Sequence, residues 1–286
     1  MIQILDDTKK SAGDSIKVTL RMQLSGDGVS GDSTLEGDEE ALATHTDTVL
    51  IDQLRQGVRS QGKMSEQRVP FSVREEALMG LKDWWATRMD VAVFNQLCGN
   101  TAQTNQKYTG HNATTAPTTT TGNTRHVFAD GNTAETGLTS GASDQFALSL
   151  IDTAIATART ATPQVRPIKI NGGSHYVVFI DTWQAKNMRT AYSSGAWGDI
   201  QKAAIMGGEL SKNPIFTGAL GVYSGCIIHE TTNLYAGNFT DGGAVRCARA
   251  LLCGAQAAAI AYGRDTSTGT DKMFWVEELE NSSTLQ

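Results

Sequence analysis

One long amphipathic segment, residues 64–99, constrains the fold of this chain most, because its greater part predicts a single helix. Ser72 is placed to cap the first turn, and Glu75, three residues later, completes a capping box. Gly99 can adopt the left-handed conformation that ends a helix. From Val73 to Cys98 the helix would be roughly 39 Å long, enough to cross a domain. Its apolar residues recur at steps of three and four and so share one face: Leu78, Leu81, Trp85, Met89, Val93 and Leu97.

A strict alternation of apolar and polar residues precedes this helix and predicts a β-strand over residues 16–24. Its apolar face consists of Ile16, Val18, Leu20, Met22 and Leu24. A loop rich in Gly and Asp follows, and a second extended segment is predicted from Thr46 to Arg59, although Ile51 to Arg59 also fits a helix. The two strands would form an arm. Because an isolated two-stranded ribbon is marginal in water, its apolar face must lie on the chain's own core or on a neighbour.

Charged residues are unevenly distributed along this arm. Acidic side chains gather between Asp27 and Glu40, at its predicted tip. Basic side chains gather along the arm and at its junction with the long helix: Lys17, Arg21, Arg55, Arg59, Lys63 and Arg68. The sequence supports two interpretations of this charge distribution equally. Charge runs are commonly no more than solvated faces, or the opposite charges fix how the arm of one copy docks on the next.

The rest of the chain mixes helices and strands without a regular βαβ rhythm, which predicts the α+β class. Residues 101–141 are rich in Thr, Asn, Gly and Ala and predict a surface loop. Ser143 or Asp144 is expected to cap a helix, and Asp181, with Gln184 in the capping-box position, a second one. Strands are predicted at His175–Ile180, Val222–His229 and Met273–Glu278 and a short helix at Ile200–Met206, while Ala250–Ala261 fits either a helix or a buried strand.

No constellation typical of an enzyme stands out in the sequence. The Gly-rich tip matches neither a dinucleotide fingerprint nor a P-loop, its carboxylates lack EF-hand spacing, and the five histidines lack the pairing of a zinc site. Cys226 and His229 are close in sequence, but packing explains such strand neighbours better than catalysis does. We therefore predict no catalytic residue, no cofactor and no metal.

The composition of the chain limits the cellular compartments and the classes of partner that we expect for the protein. The net charge of −6 argues against a dedicated nucleic-acid-binding domain. Neither a signal peptide nor an apolar run of membrane-spanning length is present, so we expect no membrane association. The four cysteines (Cys98, Cys226, Cys247 and Cys253) form no CxxC pair, which favours buried thiols in a reducing compartment such as a cytoplasm.

A resemblance to a known family lies in the runs GDSIKVTLRMQLSGDGVSGDSTLEGDEEAL and IDQLRQGVRSQGKMSEQRVPFSVREEALMGLKDWW, and continues to RALLCGAQAAAIAYG at residues 249–263. These runs resemble major capsid proteins of tailed bacteriophages, in the group typified by the coat protein of coliphage N4. The resemblance implies the Hong Kong 97-type coat fold. The segment ahead of the first strand is shorter than the family's, and the C-terminus, ENSSTLQ, differs from the family's ending, so we expect a divergent or incomplete version.

The resemblance also implies a division of the chain. Residues 1–15 would be a short N-terminal segment, 16–69 the extended loop and 70–99 the spine helix. Residues 100–142 would be a Thr-rich insertion or surface loop, and 143–286 would hold the axial domain and the remaining strands of the peripheral domain.

The implied function is that of a structural shell subunit. Hexamers and pentamers would close into an icosahedral head around double-stranded DNA, held without sequence-specific binding, in a virion assembled in the host cytoplasm. Scaffolding, portal and decoration proteins are further implied partners. The inter-subunit contact candidates are the apolar face and the basic residues named above. Two other functions remain open: an encapsulin-like compartment for protein cargo, whose particles would lack nucleic acid, and a soluble hydrolase, which would need a pocket with convergent polar groups.

Overall fold

The computed structural model describes residues 2–5, 15–21, 24, 26–42, 44–59, 63–117, 119–120, 123–161, 164–170, 172–190, 219–238 and 245–263. The chain divides into two compact units. The larger unit comprises Leu54–Ala258, and the smaller unit comprises Ile2–Gln53 with Ala259–Gln286. Helices and strands are mixed in the described part of the chain, which confirms the α+β class.

The helices are α1 (Lys63–Arg68), α2 (Val73–Leu97), α3 (Gln106–Thr109), α4 (Leu148–Thr160) and α5 (Thr182–Thr190). The strands are β1 (Ile2–Leu5), β2 (Ser15–Arg21), β3 (Thr44–Leu50), β4 (Thr119–Thr120), β5 (Asn123–Thr124), β6 (Ile168–Ile170), β7 (Gly173–Asp181), β8 (Ala219–Tyr223), β9 (Cys226–Thr231), β10 (Ala236–Asn238), β11 (Arg246–Ala248), β12 (Leu251–Cys253) and β13 (Ala258–Ala261).

The predicted long helix is confirmed as α2, with Ser72 as its N-cap and Gly99 at its end, although the predicted return bond from the Glu75 side chain to the Ser72 amide is not formed. Ser72 Oγ accepts a hydrogen bond from the Glu75 amide at 3.4 Å. At the other end Gly99 has φ +61°, and its amide bonds to the Gln96 carbonyl oxygen at 3.1 Å. The Asn100 amide bonds to the Asn95 carbonyl oxygen at 3.0 Å, which completes a Schellman motif.

A five-stranded sheet forms the centre of the larger unit. Its strand order is β12-β7-β9-β8, with β6 pairing with the first residues of β7. Strand β7 runs parallel to β9 and antiparallel to β12, and it confirms the buried strand predicted at His175–Ile180. The core lies between this sheet and helices α4 and α5: Ile151, Ile155, Ala158, Tyr176, Val178, Ile180, Ala185, Met188, Cys226 and Ile228.

Helix α2 meets the sheet through its C-terminal part. The Phe94 ring lies edge-to-face against Phe179 of β7, with 5.4 Å between ring centroids. In α2, which is described in full, only Asn95 is buried. The residues of the predicted apolar stripe are half-buried in the single chain.

Several sequence predictions need correction. Residues 51–59 form neither strand nor helix, since β3 ends at Leu50, and a separate short helix, α1, precedes α2. The strand predicted at Val222–His229 is the hairpin β8–β9, which turns at Ser224 and Gly225 with φ +49° and +79°. The ambiguous segment at Ala250–Ala261 contains the two strands β12 and β13.

The predicted cap of α4 is also wrong. Ala147 occupies the N-cap position and makes no side-chain cap hydrogen bond. Asp144 instead accepts hydrogen bonds from Asn132 Nδ2 at 2.8 Å and from the Thr139 amide at 2.7 Å, so its carboxylate is used to fold the preceding loop. The helix predicted at Ile200–Met206 and the strand predicted at Met273–Glu278 lie outside the described residues.

The segment predicted as a surface loop, residues 101–141, contains little regular structure, as expected. It holds α3, the two-residue strands β4 and β5, and single 3-10 turns at Ala129–Gly131 and Glu135–Gly137. The segment nevertheless packs on α2, because Gln96 Nε2 donates to the carbonyl oxygens of Thr109 and Asn112, each at 2.8 Å.

Candidate interaction surfaces

The ribbon of β2 and β3 is the structural form of the predicted arm. The strands pair antiparallel from Ser15 opposite Leu50 to Arg21 opposite Thr44. Residues directly opposite each other project from the same face of a ribbon. The face that carries Ile16, Val18 and Leu20 therefore also carries their partners on β3: Val49, Asp47 and His45.

This register corrects the picture of a uniformly apolar face. The apolar stripe is one strand wide, because two of its three neighbours on β3 are polar. Ile16 is only 7% exposed in the single chain, so a neighbouring copy would find little of it left to cover. Val18 is half-buried, while Asp47 and His45 are exposed.

The opposite face of the ribbon is polar except for Leu50, the partner of Ser15. Lys17, Thr19 and Arg21 alternate with the apolar residues, and their partners on β3 are threonines: Thr48, Thr46 and Thr44. Lys17 is exposed. The sequence alternation therefore correctly separates the two faces of β2, and the threonine row on β3 extends the polar one.

Two members of the predicted apolar face are not found in the described strand. Met22 lies outside the described residues, and Leu24 follows β2 as an exposed residue without strand structure. The predicted strand over residues 16–24 is thus shorter at its C-terminal end than the alternation suggests.

The acidic tip of the arm is an exposed loop, residues 26–42, without helix or strand. Its turns use glycines with positive φ, among them Gly37 at +99°. Two carboxylates fold the loop on itself: Glu40 Oε2 accepts from the Gly26 amide at 2.7 Å, and Glu39 Oε2 accepts from the Gly37 amide at 2.8 Å. Leu35 and Leu42 are both exposed within it.

The predicted basic contact residues are divided between the two units. Lys17 and Arg21 belong to the smaller unit, whereas Arg55, Arg59, Lys63 and Arg68 belong to the larger one. Arg55, Arg59 and Arg68 are exposed, and Lys63 begins α1. The basic set is therefore not one continuous feature of the arm.

Sequence reasoning missed a group of exposed apolar residues at the start of the larger unit: Val58, Met64, Phe71 and Met79, each more than half exposed. The signal available in the sequence was weak, because Met79 lies beside the predicted stripe of α2 and the other three precede that helix. Large apolar side chains that a single chain leaves in water commonly mark surfaces that bind another protein.

Arg249 joins three distant parts of the larger unit. Its Nε and Nη2 donate to the two carboxylate oxygens of Glu135 at 2.5 Å and 3.0 Å. Its Nη1 donates to the carbonyl oxygens of Cys98 and Gly99 at 2.7 Å and 2.9 Å. The guanidinium therefore satisfies carbonyl groups at the C-terminal end of α2, where a positive charge is also favoured by the helix dipole.

The thiols lack the environment of a nucleophile. Cys226 and Cys253 are buried, and this burial raises the pKa of each thiol to about 11, so both stay protonated near neutral pH. Neither a group of three His, Cys, Asp or Glu side chains able to hold a metal nor a helix able to span a membrane occurs within the described ranges. His229 packs against Phe179, with 5.9 Å between ring centroids.

Comparison with known proteins identifies the family of the chain that carries these surfaces. The family model described as phage capsid protein matches residues 1–286. This chain belongs to the phage capsid protein family. The capsid chain is 29% identical over 287 aligned residues to the major capsid protein of Pseudomonas phage KPP25, an alignment that covers 89% of this chain and 71% of that protein.

Solved structures give the same answer. The capsid of Ralstonia phage GP4 superposes with a TM-score of 0.77 at 28% identity, covering 92% of this capsid chain and 73% of that one. The capsid asymmetric unit of cyanophage Pam1 superposes with a TM-score of 0.66 at 17% identity, covering 93% and 76%. The second likeness shows the fold alone.

The family confirms the main functional prediction. The chain is a major capsid protein of a tailed phage, a structural protein of the virion rather than an enzyme. Its function is therefore to assemble with further copies of itself into a shell, and the surfaces described above are candidates for the contacts between copies.

Proposed function

We propose that copies of this capsid protein join through the ribbon of β2 and β3, which docks on an adjacent copy. The observation that carries this proposal is the exposure of the ribbon. Residues Thr44–Thr48 of β3 are exposed, and β2 and β3 form a two-stranded sheet with no third strand among the described residues. A ribbon of this kind is marginal in water on its own, and a neighbouring copy would cover its stripe of Val18 and Leu20, which the sequence pattern extends to Met22.

The basic residues among the predicted inter-subunit contacts would have a different role in docking from the apolar stripe. Lys17 and Arg21 on the polar face, and Arg55, Arg59, Lys63 and Arg68 in the larger unit, would set the orientation of docking through complementary charge. Such rim charges alter the rate and specificity of association more than its strength.

The proposed fold is the Hong Kong 97-type coat fold, and N4-type coat proteins are the proposed subfamily. Residues 16–69 would be the extended loop, 70–99 the spine helix and 100–142 the insertion, with 1–15 ahead of them. Residues 143–286 would hold the axial domain and the remaining peripheral strands. The length of α2, 25 residues, and the ribbon ahead of it support this assignment.

The proposed assembly is an icosahedral head built of hexamers and pentamers and filled with double-stranded DNA. The DNA would be held without sequence-specific contacts, as the net charge of −6 suggests. Assembly would take place in the host cytoplasm, with scaffolding, portal and decoration proteins as further partners. Particles purified after nuclease treatment should retain protected nucleic acid. Particles that retain only protein would instead support a compartment of the encapsulin type.

The docking of the ribbon is tested by replacing Leu20 and Met22 with Asp. We expect particles to be lost while the helix content measured by circular dichroism stays nearly unchanged. The matched control replaces Thr19 and Thr46 with Asp, because these two residues face each other on the polar side of the ribbon and the net charge changes equally. Normal particle yield from the Leu20 and Met22 variant would show that the stripe is not an assembly contact.

A further inference from the structure

An exposed tryptophan with two cations beside its ring stands out on the larger unit. Trp183 lies near the start of α5, and its side chain is 51% exposed. The Lys186 ammonium lies 4.7 Å from the centroid of the indole ring, and the Arg246 guanidinium carbon lies 5.9 Å from it. Both distances are within the range of cation–π attraction. We name Trp183, Lys186 and Arg246 the aromatic-basic patch.

The backbone around this patch is held firmly. Asp181 Oδ2 accepts a hydrogen bond from the Trp183 amide at 3.0 Å, and Gln184 Oε1 accepts from the Asp181 amide at 3.0 Å, which is the predicted capping box. Gln184 Nε2 also donates to the Ala248 carbonyl oxygen at 2.8 Å. This last bond joins α5 to the strand that carries Arg246, so the backbone positions that present the three side chains of the patch are fixed relative to one another.

Among the described residues, nothing neutralises the positive charge of the patch. The carboxylate of Glu230 is paired with Arg189 at 2.9 Å, and the buried carboxylate of Asp181 accepts from the Trp183 amide. Within the described part of the chain, no carboxylate forms a salt bridge with Lys186 or Arg246. An exposed indole beside two such cations suits a ligand that is acidic and carries an apolar side chain.

The chain itself contains a segment of that chemistry in the acidic loop, residues 26–42. The loop is exposed along its length and carries six carboxylates: Asp27, Asp32, Glu36, Asp38, Glu39 and Glu40. Leu35 stands among them and is 60% exposed. In a shell of repeated copies this loop is present at a high local concentration, which favours even a weak contact.

We propose that the acidic loop of one copy docks on the aromatic-basic patch of a second copy, with Leu35 against the Trp183 indole and the carboxylates beside Lys186 and Arg246. This inference rests on the proposed function, in which the arm reaches an adjacent copy, and it names the surface that receives the tip of that arm. Single-stranded nucleic acid is the other polyanion that such a patch could bind through stacking. The loop is favoured because it supplies both the charge and the apolar side chain.

Two charge-reversed variants of the full chain test the contact. The patch variant carries Lys186→Glu and Arg246→Glu. The loop variant carries Asp32→Lys and Asp38→Lys, which spares the two carboxylates that fold the loop. A control, Lys82→Glu with Lys107→Glu, makes the same charge change as the patch variant on exposed lysines elsewhere. We expect each test variant to weaken self-association by about tenfold, measured by sedimentation, and the control to leave it unchanged.

Mixing the two variants is the decisive step. In the mixture the two substituted positions of the loop variant carry charge opposite to the two substituted positions of the patch variant, so pairs between these positions can form again and self-association should return. A chain that carries all four substitutions should also recover. If that chain recovers but the mixture does not, the contact lies within one copy and the proposal is wrong.

A peptide of residues 26–42 separates this proposal from shell assembly itself. At chain concentrations below assembly, we expect the labelled peptide to bind the wild-type chain and to bind the patch variant about tenfold more weakly. Absence of shells from the wild-type chain would overturn the proposed function and leave this binding measurable. Equal binding of the peptide to both chains would overturn the docking proposal alone. Loss of bound nucleic acid from the patch variant, with normal self-association and no recovery in the mixture, would assign the patch to nucleic acid.

Discussion

Arg249 and Glu135 form a bidentate pair across 114 residues of sequence, with N–O distances of 2.5 Å and 3.0 Å. The same guanidinium donates to the carbonyl oxygens of Cys98 and Gly99 and lies 4.9 Å from the centroid of the Tyr235 ring. One side chain thereby ties the end of the long helix to the loop that follows it and to the last part of the larger unit.

Replacing Arg249 with Met should lower the stability of the larger unit by about 2–4 kcal/mol, because it leaves a half-buried carboxylate and two helix carbonyls without their donor. Glu135→Gln should cost less, since the amide oxygen can still accept one bond. The matched control is Arg189→Met, which breaks the more exposed pair with Glu230 and should cost less than about 1 kcal/mol. Thermal unfolding of the unassembled chain measures all three. Equal losses of stability for Arg249→Met and Arg189→Met would show that Arg249 stabilises the larger unit no more than an exposed ion pair does.

The sequence predicts the ends of α2 but not the pair that holds its C-terminal end. Ser72 and Gly99 act on backbone groups a few residues away, so their residue types carry the information. The Arg249–Glu135 pair depends on how the whole unit folds, and neither residue stands in a recognisable pattern. The same limit explains Asp144, which has the chemistry of a helix cap and binds Asn132 and Thr139 instead.

A substitution at Gly99 tests the end of the long helix. Gly99→Ala should cost more than about 2 kcal/mol, because φ is +61° and the new Cβ would lie 2.6 Å from Pro117 Cδ and 2.8 Å from the Thr115 carbonyl oxygen. Gly80→Ala in the middle of α2 is the control. Nothing lies within 4 Å of its added Cβ, so it should stabilise the helix by about 0.5–1 kcal/mol. Chemical unfolding that gives both variants the same sign of change would contradict this account.

The buried thiol of Cys226 should make stability fall at high pH. Burial raises its pKa from 9.0 to about 11, against a smaller opposing effect of Arg159. Below pH 9 both the folded and the unfolded state keep the proton. Between pH 9 and 11 only the unfolded thiol ionises, so unfolding becomes more favourable as pH rises.

The test compares the pH dependence of unfolding in the wild type and in Cys226→Ala. The cavity left by the substitution costs the same at every pH, so the difference in slope above pH 9 isolates the thiol. We expect a shallower decline in Cys226→Ala and a smaller change in Cys247→Ala, whose thiol is partly exposed. Parallel curves for Cys226→Ala and the wild type would show that the thiol does not contribute.

The candidate assembly surface was predictable only in part. Alternation along β2 separates its apolar and polar faces correctly, because side-chain direction follows sequence in a strand. The partners of that face, Asp47 and His45, depend on the register with β3, which the wide loop between the strands leaves undetermined. The aromatic-basic patch was missed because Trp183 and Arg246 are far apart in sequence and are brought together by the fold, in which Gln184 bonds to Ala248.

Electron microscopy of the purified chain, alongside sedimentation, shows whether copies assemble through the ribbon of β2 and β3. We expect closed shells of uniform size from the wild type and from the variant with Asp at Thr19 and Thr46. From the variant with Asp at Leu20 and Met22 we expect unassembled chains of normal helix content. A wild-type chain that stays strictly monomeric at its highest soluble concentration, or shells of normal yield from the Leu20 and Met22 variant, would contradict assembly through the ribbon.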